Sequence, residues 1–233
     1  MLKLSNRALR HITTLGWLLL VTCAVLLGQA ASGSVDFDKM LSLLTQRWGN
    51  GPATKFSAWQ SLILANRGAG DTDRLKRTND FFNRQMQFGD DMTIWGQEDY
   101  WATPLESLGK GAGDCEDFVI AKYFTLKEMG VEPNKLRLIY VRAKIGTSDS
   151  TALQAHMVLA YYAKPEAEPL VLDNLIADIR PASRRPDLVP VFSFNSEGIF
   201  TGVSAKDTTP AAGTGRLSRW EDLLKRAHAE GFE

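Results

Sequence analysis

Apolar positions recur at helical spacing along the first half of the chain. Between Val35 and Gly49, Phe37, Met40, Leu41, Leu44 and Trp48 fall on one side of a helix. Pro52 to Asn66 repeats the pattern with Phe56, Trp59, Leu62 and Ile63. Gly68-Ala69-Gly70 breaks it, and Asp71 reads as the cap of a third helix running to about Met86. Its charged residues form a solvated face, with Leu75, Phe81 and Phe82 turned inward. From Gln87 to Lys110 the pattern lapses into a long irregular connection, with Gly96 and Pro104 as breakers. Trp95, Tyr100 and Trp101 concentrate there, either as the wall of a groove or as ordinary core.

The stretch from Gly109 to Gly130 organises the rest. A glycine-rich loop ends in Asp114, an N-cap residue, and Cys115 opens a helix that Gly130 can close. Phe118, Val119, Ile120, Ala121, Tyr123, Phe124, Leu126 and Met129 exceed one narrow apolar stripe, so this helix lies at the centre of the fold. Beyond it the period changes from helix to strand. Leu136–Arg142, Ala155–Tyr162 and Leu170–Leu175 read as strands, followed by Val189–Phe194 and Ile199–Val203. The loop 146–150 separates the first two, and Thr208–Gly213 is a linker by composition. An amphipathic helix, Leu217–Ala229, ends the chain, with Trp220, Leu223 and Leu224 as its apolar side. Helices followed by an antiparallel meander make an α+β domain.

The N-terminus stands apart. Lys3, Arg7, Arg10 and His11 precede a nearly continuous apolar run, Leu15–Leu27, and small residues up to Ala30. That is the layout of a secretory signal at 1–30, ahead of one domain at 31–233. A retained membrane anchor is the rival, although the run is short for a span of about 20 residues. The whole chain carries 27 basic and 27 acidic residues; removing Lys3, Arg7 and Arg10 takes 3 from 27, leaving 24 and a net charge of −3. With no basic excess, nucleic acid is an unsuitable partner. Cleavage also removes Cys23 and His11, leaving Cys115, His156 and His228. A lone cysteine in an exported protein forms no internal disulfide and points to a reactive thiol or intermolecular pairing.

The Cys115 sulfur at a helix N-terminus sits where partial positive charge favours the thiolate. A thiolate nucleophile needs a base and a group to orient that base. His228 lies in a polar helix end, which leaves His156, at the start of a strand with apolar neighbours Val158 and Ala160. Asp173, at the end of a later strand, needs a partner and can fix the imidazole tautomer. Asn174 is the alternative, on the opposite face if the strand continues. The Cys115 backbone N–H is one oxyanion donor, and a second can come from the Trp95–Trp101 loop. Gly109–Gly113 is similar to a phosphate loop but lacks its Gly-Lys-Ser/Thr ending.

Thr103-Pro104-Leu105-Glu106, the block Gly113-Asp114-Cys115-Glu116-Asp117, then His156 and Asp173 on successive strands, resemble the transglutaminase-like cysteine proteases. The nearest likeness is to the bacterial periplasmic LapG type, from about Val35 to the last helix. The resemblance implies a papain-like, transglutaminase-like core, with N-terminal helices and a central nucleophile helix packed on an antiparallel sheet. It implies Cys115 as nucleophile, His156 as base and then acid, and Asp173 as orienter. It implies a substrate, the N-terminal region of a large surface adhesin cut at a di-alanine site, so that the biofilm loosens. It also implies an inhibitor, an inner-membrane receptor for cyclic dinucleotide.

One consequence is electrostatic. Asp114, Glu116 and Asp117 surround the thiol, and negative charge raises a thiol pKa. A bound cation would offset that, and carboxylate oxygens suit Ca²⁺. The resembled proteases depend on calcium, so these three acids are assigned to Ca²⁺, with carbonyls, another acid or waters completing the shell. Pro210-Ala211-Ala212-Gly213 resembles the di-alanine substrate but reads as a flexible loop. The same triad would also serve acyl transfer to an amine or hydrolysis of cell-wall peptide. A non-catalytic exported binding module with a structural Cys115 is the remaining alternative.

Overall fold

The computed structural model describes residues 35–144, 152–200 and 214–232. The expected signal segment, the loop 146–150, the linker 208–213 and residues 201–203 of the last expected strand lie outside them. Helices α1 (Phe37–Trp48), α2 (Ala53–Asn66) and α3 (Asp71–Gln85) follow the apolar pattern. Asp36 caps α1 by accepting from Lys39 N. At α3 the cap is Gly70 rather than Asp71. The Asp71 carboxylate instead receives Tyr161 Oη at 2.7 Å and Lys135 Nζ at 3.3 Å, tying the helices to the sheet.

The connection read as irregular contains three short elements, β1 (Gln87–Phe88), α4 (Asp91–Trp95) and α5 (Pro104–Lys110), and β2 (Ala112–Gly113) follows just beyond it. Helix α5 was hidden by its brevity, yet Thr103 and Glu106 form a reciprocal capping box with Pro104 at the first turn. Helix α4 is capped by Asp90. Strand β1 pairs in parallel with β2, Phe88 opposite Gly113. That pairing carries the chain from Phe88 to Met92 alongside the start of α6 (Cys115–Glu128).

Asp114 caps α6 through Glu116 N and Asp117 N, and Gly130 ends it at φ +88°, with Val131 N donating back to Leu126 O. All residues from Asp117 to Leu126 are buried, including Lys122. A helix buried on every side needs partners on every side. It lies against α3, α5 and the sheet strands β3 (Leu136–Lys144) and β4 (Leu153–Tyr161). Trp59 Nε1 donates to Thr125 Oγ1 at 2.8 Å, joining α2 to α6 within the core.

The sheet also holds β5 (Leu170–Leu172), β6 (Arg180–Pro181), β7 (Leu188–Asn195) and β8 (Gly198–Phe200), in the order β6-β5-β4-β3-β7-β8. All its described pairings are antiparallel. It is a meander only from β3 to β6, because β7 returns to the free edge of β3. Met157, Leu159 and Leu172 face α6 in the main core, whereas Val158, Ala160 and Val171 join a second cluster on the other face. The last helix, α7 (Thr214–Glu230), inserts Trp220 among Trp101, Tyr123, Phe124 and Phe194. The architecture is the expected α+β arrangement of helices on an antiparallel sheet.

Candidate active site

Cys115 is a half-buried free thiol at the first position of α6. It opens into a cleft of about 490 Å³ lined among others by Phe88, Met92, Trp101, Glu116, Tyr140 and Ala155. Its Sγ lies 2.6 Å from Glu116 Oε2 and within hydrogen-bonding reach of the Met157 backbone N–H. Met157 follows His156, so the register of β4 brings the thiol to the backbone beside the histidine. His228, as expected, is exposed.

The His156 ring is buried, and its Nε2 lies 2.8 Å from Asp173 Oδ1. With Nε2 engaged, Nδ1 is the nitrogen left for a thiol. Asp173 directly follows β5, which ends at Leu172, three residues short of the strand expected to Leu175. Oδ1 also accepts Leu175 N at 3.0 Å, and Oδ2 accepts Arg185 Nη2 at 2.7 Å. Burial pushes the Asp173 carboxyl up, but hydrogen bonds from His156, Leu175 and Arg185 prevail and pull it down to about 2. Asn174, the alternative orienter, has a buried Oδ1 with no partner.

The three acids of the nucleophile block divide. Asp114 and Asp117 converge with Asp91 of α4, with oxygens of the three carboxylates within 4.8 Å of one another. Glu116 sits on the thiol side, grouped with Asp114 and Cys115. Asp117 is fully buried, with Oδ1 accepting Ala102 N at 2.8 Å. Asp91 Oδ2 accepts Tyr100 N at 2.6 Å. The remaining oxygens, Asp117 Oδ2 and Asp91 Oδ1, are buried without a hydrogen-bond partner.

Crowded, desolvated carboxylates resist ionisation. Burial, then the charge of Asp114, pushes Asp91 up to about 6; burial, then Glu116, pushes Asp114 up to about 7. Burial followed by Asp114 drives Asp117 well up, and burial followed by Glu116 drives the Cys115 thiol well up. Orphaned, crowded carboxylate oxygens fit a divalent cation of the Ca²⁺ class.

Three residues were missed from sequence. Asp91 lay in the connection read as irregular, although Gly89-Asp90-Asp91 has the form of a capped helix start. Lys122 interrupts the apolar helix, and its Nζ donates to Asp173 O at 3.2 Å. Arg185 follows a short 3₁₀ turn, and no periodicity marks it. The aromatic cluster serves both readings offered for it. Trp101 stacks on Phe194 with ring centroids 5.5 Å apart and also lines the cleft. Its Nε1 is engaged by Asp99 Oδ1 at 3.2 Å.

A family model described as bacterial transglutaminase-like cysteine proteinase matches residues 62–186, just over half of the chain. No curated protein matches significantly. Among solved structures, LapG of Legionella pneumophila shares 38% identity at a TM-score of 0.68, covering 84% of this chain and 99% of the Legionella chain. An EGTA-treated form of that protein matches at 38% identity and a TM-score of 0.69, covering 84% and 100%. A calcium-bound form matches at 38% and 0.68, covering 82% and 99%.

Proposed function

This chain belongs to the bacterial transglutaminase-like cysteine proteinases, and we propose that it is a calcium-dependent periplasmic endopeptidase. In this reading it cuts the N-terminal region of a large surface adhesin at a di-alanine site, releasing the adhesin and promoting biofilm dispersal. The observation that carries the chemistry is the buried His156–Asp173 pair, next along β4 to Met157, whose backbone N–H faces the Cys115 thiol.

Each residue then has a role. Asp173 holds Nε2 of His156 and stabilises the imidazolium. Nδ1 takes the proton of Cys115, and the thiolate attacks the scissile carbonyl carbon. The Cys115 backbone N–H, at the start of α6, donates to the developing oxyanion. His156 returns the proton to the departing amine, leaving a thioester on Cys115. Water, deprotonated by His156, then hydrolyses the thioester.

Asp91, Asp114 and Asp117 would hold the calcium ion, with Glu116 on the thiol side of the same cluster. Bound there, the ion supplies positive charge that offsets the carboxylates and favours the thiolate. The calcium-bound and EGTA-treated Legionella structures support this assignment by relationship. The basic and apolar residues at 1–30 fit export by a signal peptide. An inner-membrane cyclic-dinucleotide receptor that sequesters the protease is the proposed inhibitor.

The test is incubation of the purified protein with an adhesin N-terminal fragment containing a di-alanine site. We expect one cut at that site with calcium, and none with EGTA or in Cys115→Ala. Equal cutting by Cys115→Ala, or no effect of EGTA, contradicts the proposal.

A further inference from the structure

Behind the His156–Asp173 pair lies a buried cation that the chemistry above does not use. The Arg185 side chain is only 2% exposed. Its Nη2 is 2.7 Å from Asp173 Oδ2 and 2.7 Å from Asp187 Oδ2. Its Nε is 3.0 and 3.2 Å from the two oxygens of Asp187. Asp187 therefore grips the guanidinium along one edge, and the guanidinium presents a nitrogen to Asp173. The order in space runs Asp187, Arg185, Asp173, His156.

The division of labour on Asp173 gives this order its meaning. Oδ1 serves His156 and Leu175 N, while Oδ2 serves Arg185. The backbone carbonyl of Asp173 is held separately, by Asn83 Nδ2 of α3 at 2.8 Å and Lys122 Nζ of α6 at 3.2 Å. A buried carboxylate with one oxygen free could turn about its own bond and present either oxygen to the histidine. Anchoring Oδ2 removes that freedom and supplies the counter-charge a buried carboxylate needs. Among the described residues, the side chains facing this carboxylate include Lys122 from α6, Arg185 and Asp187 from the segment between β6 and β7, and His156 from β4.

We propose that Arg185, clamped by Asp187, is a positioning residue of the proposed reaction: it fixes the Asp173 carboxylate so that Oδ1 orients the His156 ring toward the thiol. The inference rests on the Cys115–His156–Asp173 reading. It assigns Arg185 no contact with substrate; it acts through Asp173.

The experiment uses the calcium-loaded full protein and a peptide spanning a di-alanine site. It compares Arg185→Met, Arg185→Lys and Asp187→Asn, with Cys115→Ala and His156→Ala as controls. For Arg185→Met we expect kcat about 100-fold lower with KM within twofold, since misplacement of a reacting group is enough for such a loss. Iodoacetamide should alkylate Cys115 more slowly in the same variant at neutral pH. Arg185→Lys, which keeps the charge but not the fork, should recover about tenfold, and Asp187→Asn should lose about tenfold. A merely structural arginine would lower the melting temperature and leave kcat per alkylatable site and the alkylation rate unchanged; that result overturns the proposal. If Arg185→Met does not fold, Asp187→Asn and Arg185→Lys carry the test, and wild-type kcat in both overturns it. Activity surviving in Cys115→Ala or His156→Ala would instead remove the underlying triad.

Discussion

Asp173 is the residue on which the account is most exposed to measurement. Its folded-state carboxyl titrates at about 2, against 3.8 for an ordinary aspartate. A depressed folded pKa contributes stability that is present above the unfolded value and is lost as pH falls through the folded one. The contribution should therefore be complete above about pH 5 and decline between roughly pH 4 and pH 2, amounting to about 2 kcal/mol. Urea unfolding of wild type and Asp173→Asn at pH 6 and at pH 2.5 checks this, and the gap between the two proteins should shrink at the lower pH. At neutral pH, Asp173→Asn should also lower kcat by roughly 10²–10⁴-fold, because the amide disturbs the tautomer that Asp173 selects. Cys115 and His156 could be proposed from the sequence because few residues could play their roles. Asp173 was legible as a carboxylate ending an apolar run. Arg185 was not, because a buried arginine on an irregular segment looks in sequence like any surface arginine.

At the level of elements, the start of α6 shows why its sequence takes this form. A Cβ added to Gly113 would lie 2.6 Å from Asp117 Cβ, 2.7 Å from Asp117 Oδ2 and 2.9 Å from Met86 Cε. Gly113 thus lets β2 run close enough to the helix for Asp117 to reach Asp91 and Asp114. Gly113→Ala should displace the Asp117 carboxylate, weaken calcium binding by isothermal titration and cost about 1–3 kcal/mol of stability. Undiminished calcium affinity in a folded Gly113→Ala protein would contradict that role for the glycine. The cap of α5 makes a smaller demand, and Thr103→Ala should cost about 1 kcal/mol in a denaturant titration. The long helices and strands were legible because periodicity accumulates over many residues. Helices α4 and α5 were not, since five and seven residues are too few to display a period, and only their caps announce them. The return of β7 to β3 was equally hidden, because strand sequences record which face is buried and not which neighbour is paired.

For the molecule as a whole, the cleft joins parts that are distant along the chain. Asp91 and Asp117 meet through backbone donors of the 96–103 segment: Tyr100 N holds Asp91 and Ala102 N holds Asp117. That segment is in turn fastened to α7, where Arg226 Nη2 donates to Trp101 O at 2.7 Å and Arg219 pairs with Asp99 at 2.7 Å. Calcium binding at the acidic cluster should therefore stabilise the fold, by about 2.7 kcal/mol at a hundred times the dissociation constant. Calorimetric melting with calcium and with EGTA reads this directly, and Asp91→Asn should remove most of the difference. The account stands above all on Cys115 being a thiolate nucleophile tuned by His156 and by a cation. The measurement that bears on it most directly is iodoacetamide alkylation of Cys115 against pH, in calcium and in excess chelator, followed by mass spectrometry. The account predicts fast alkylation near neutral pH in calcium, slower reaction in His156→Ala, and slower reaction in chelator as the uncompensated carboxylates push the thiol up. A rate matching that of a free thiol throughout, indifferent to calcium and to His156→Ala, would contradict it and leave the fold as a scaffold without this chemistry.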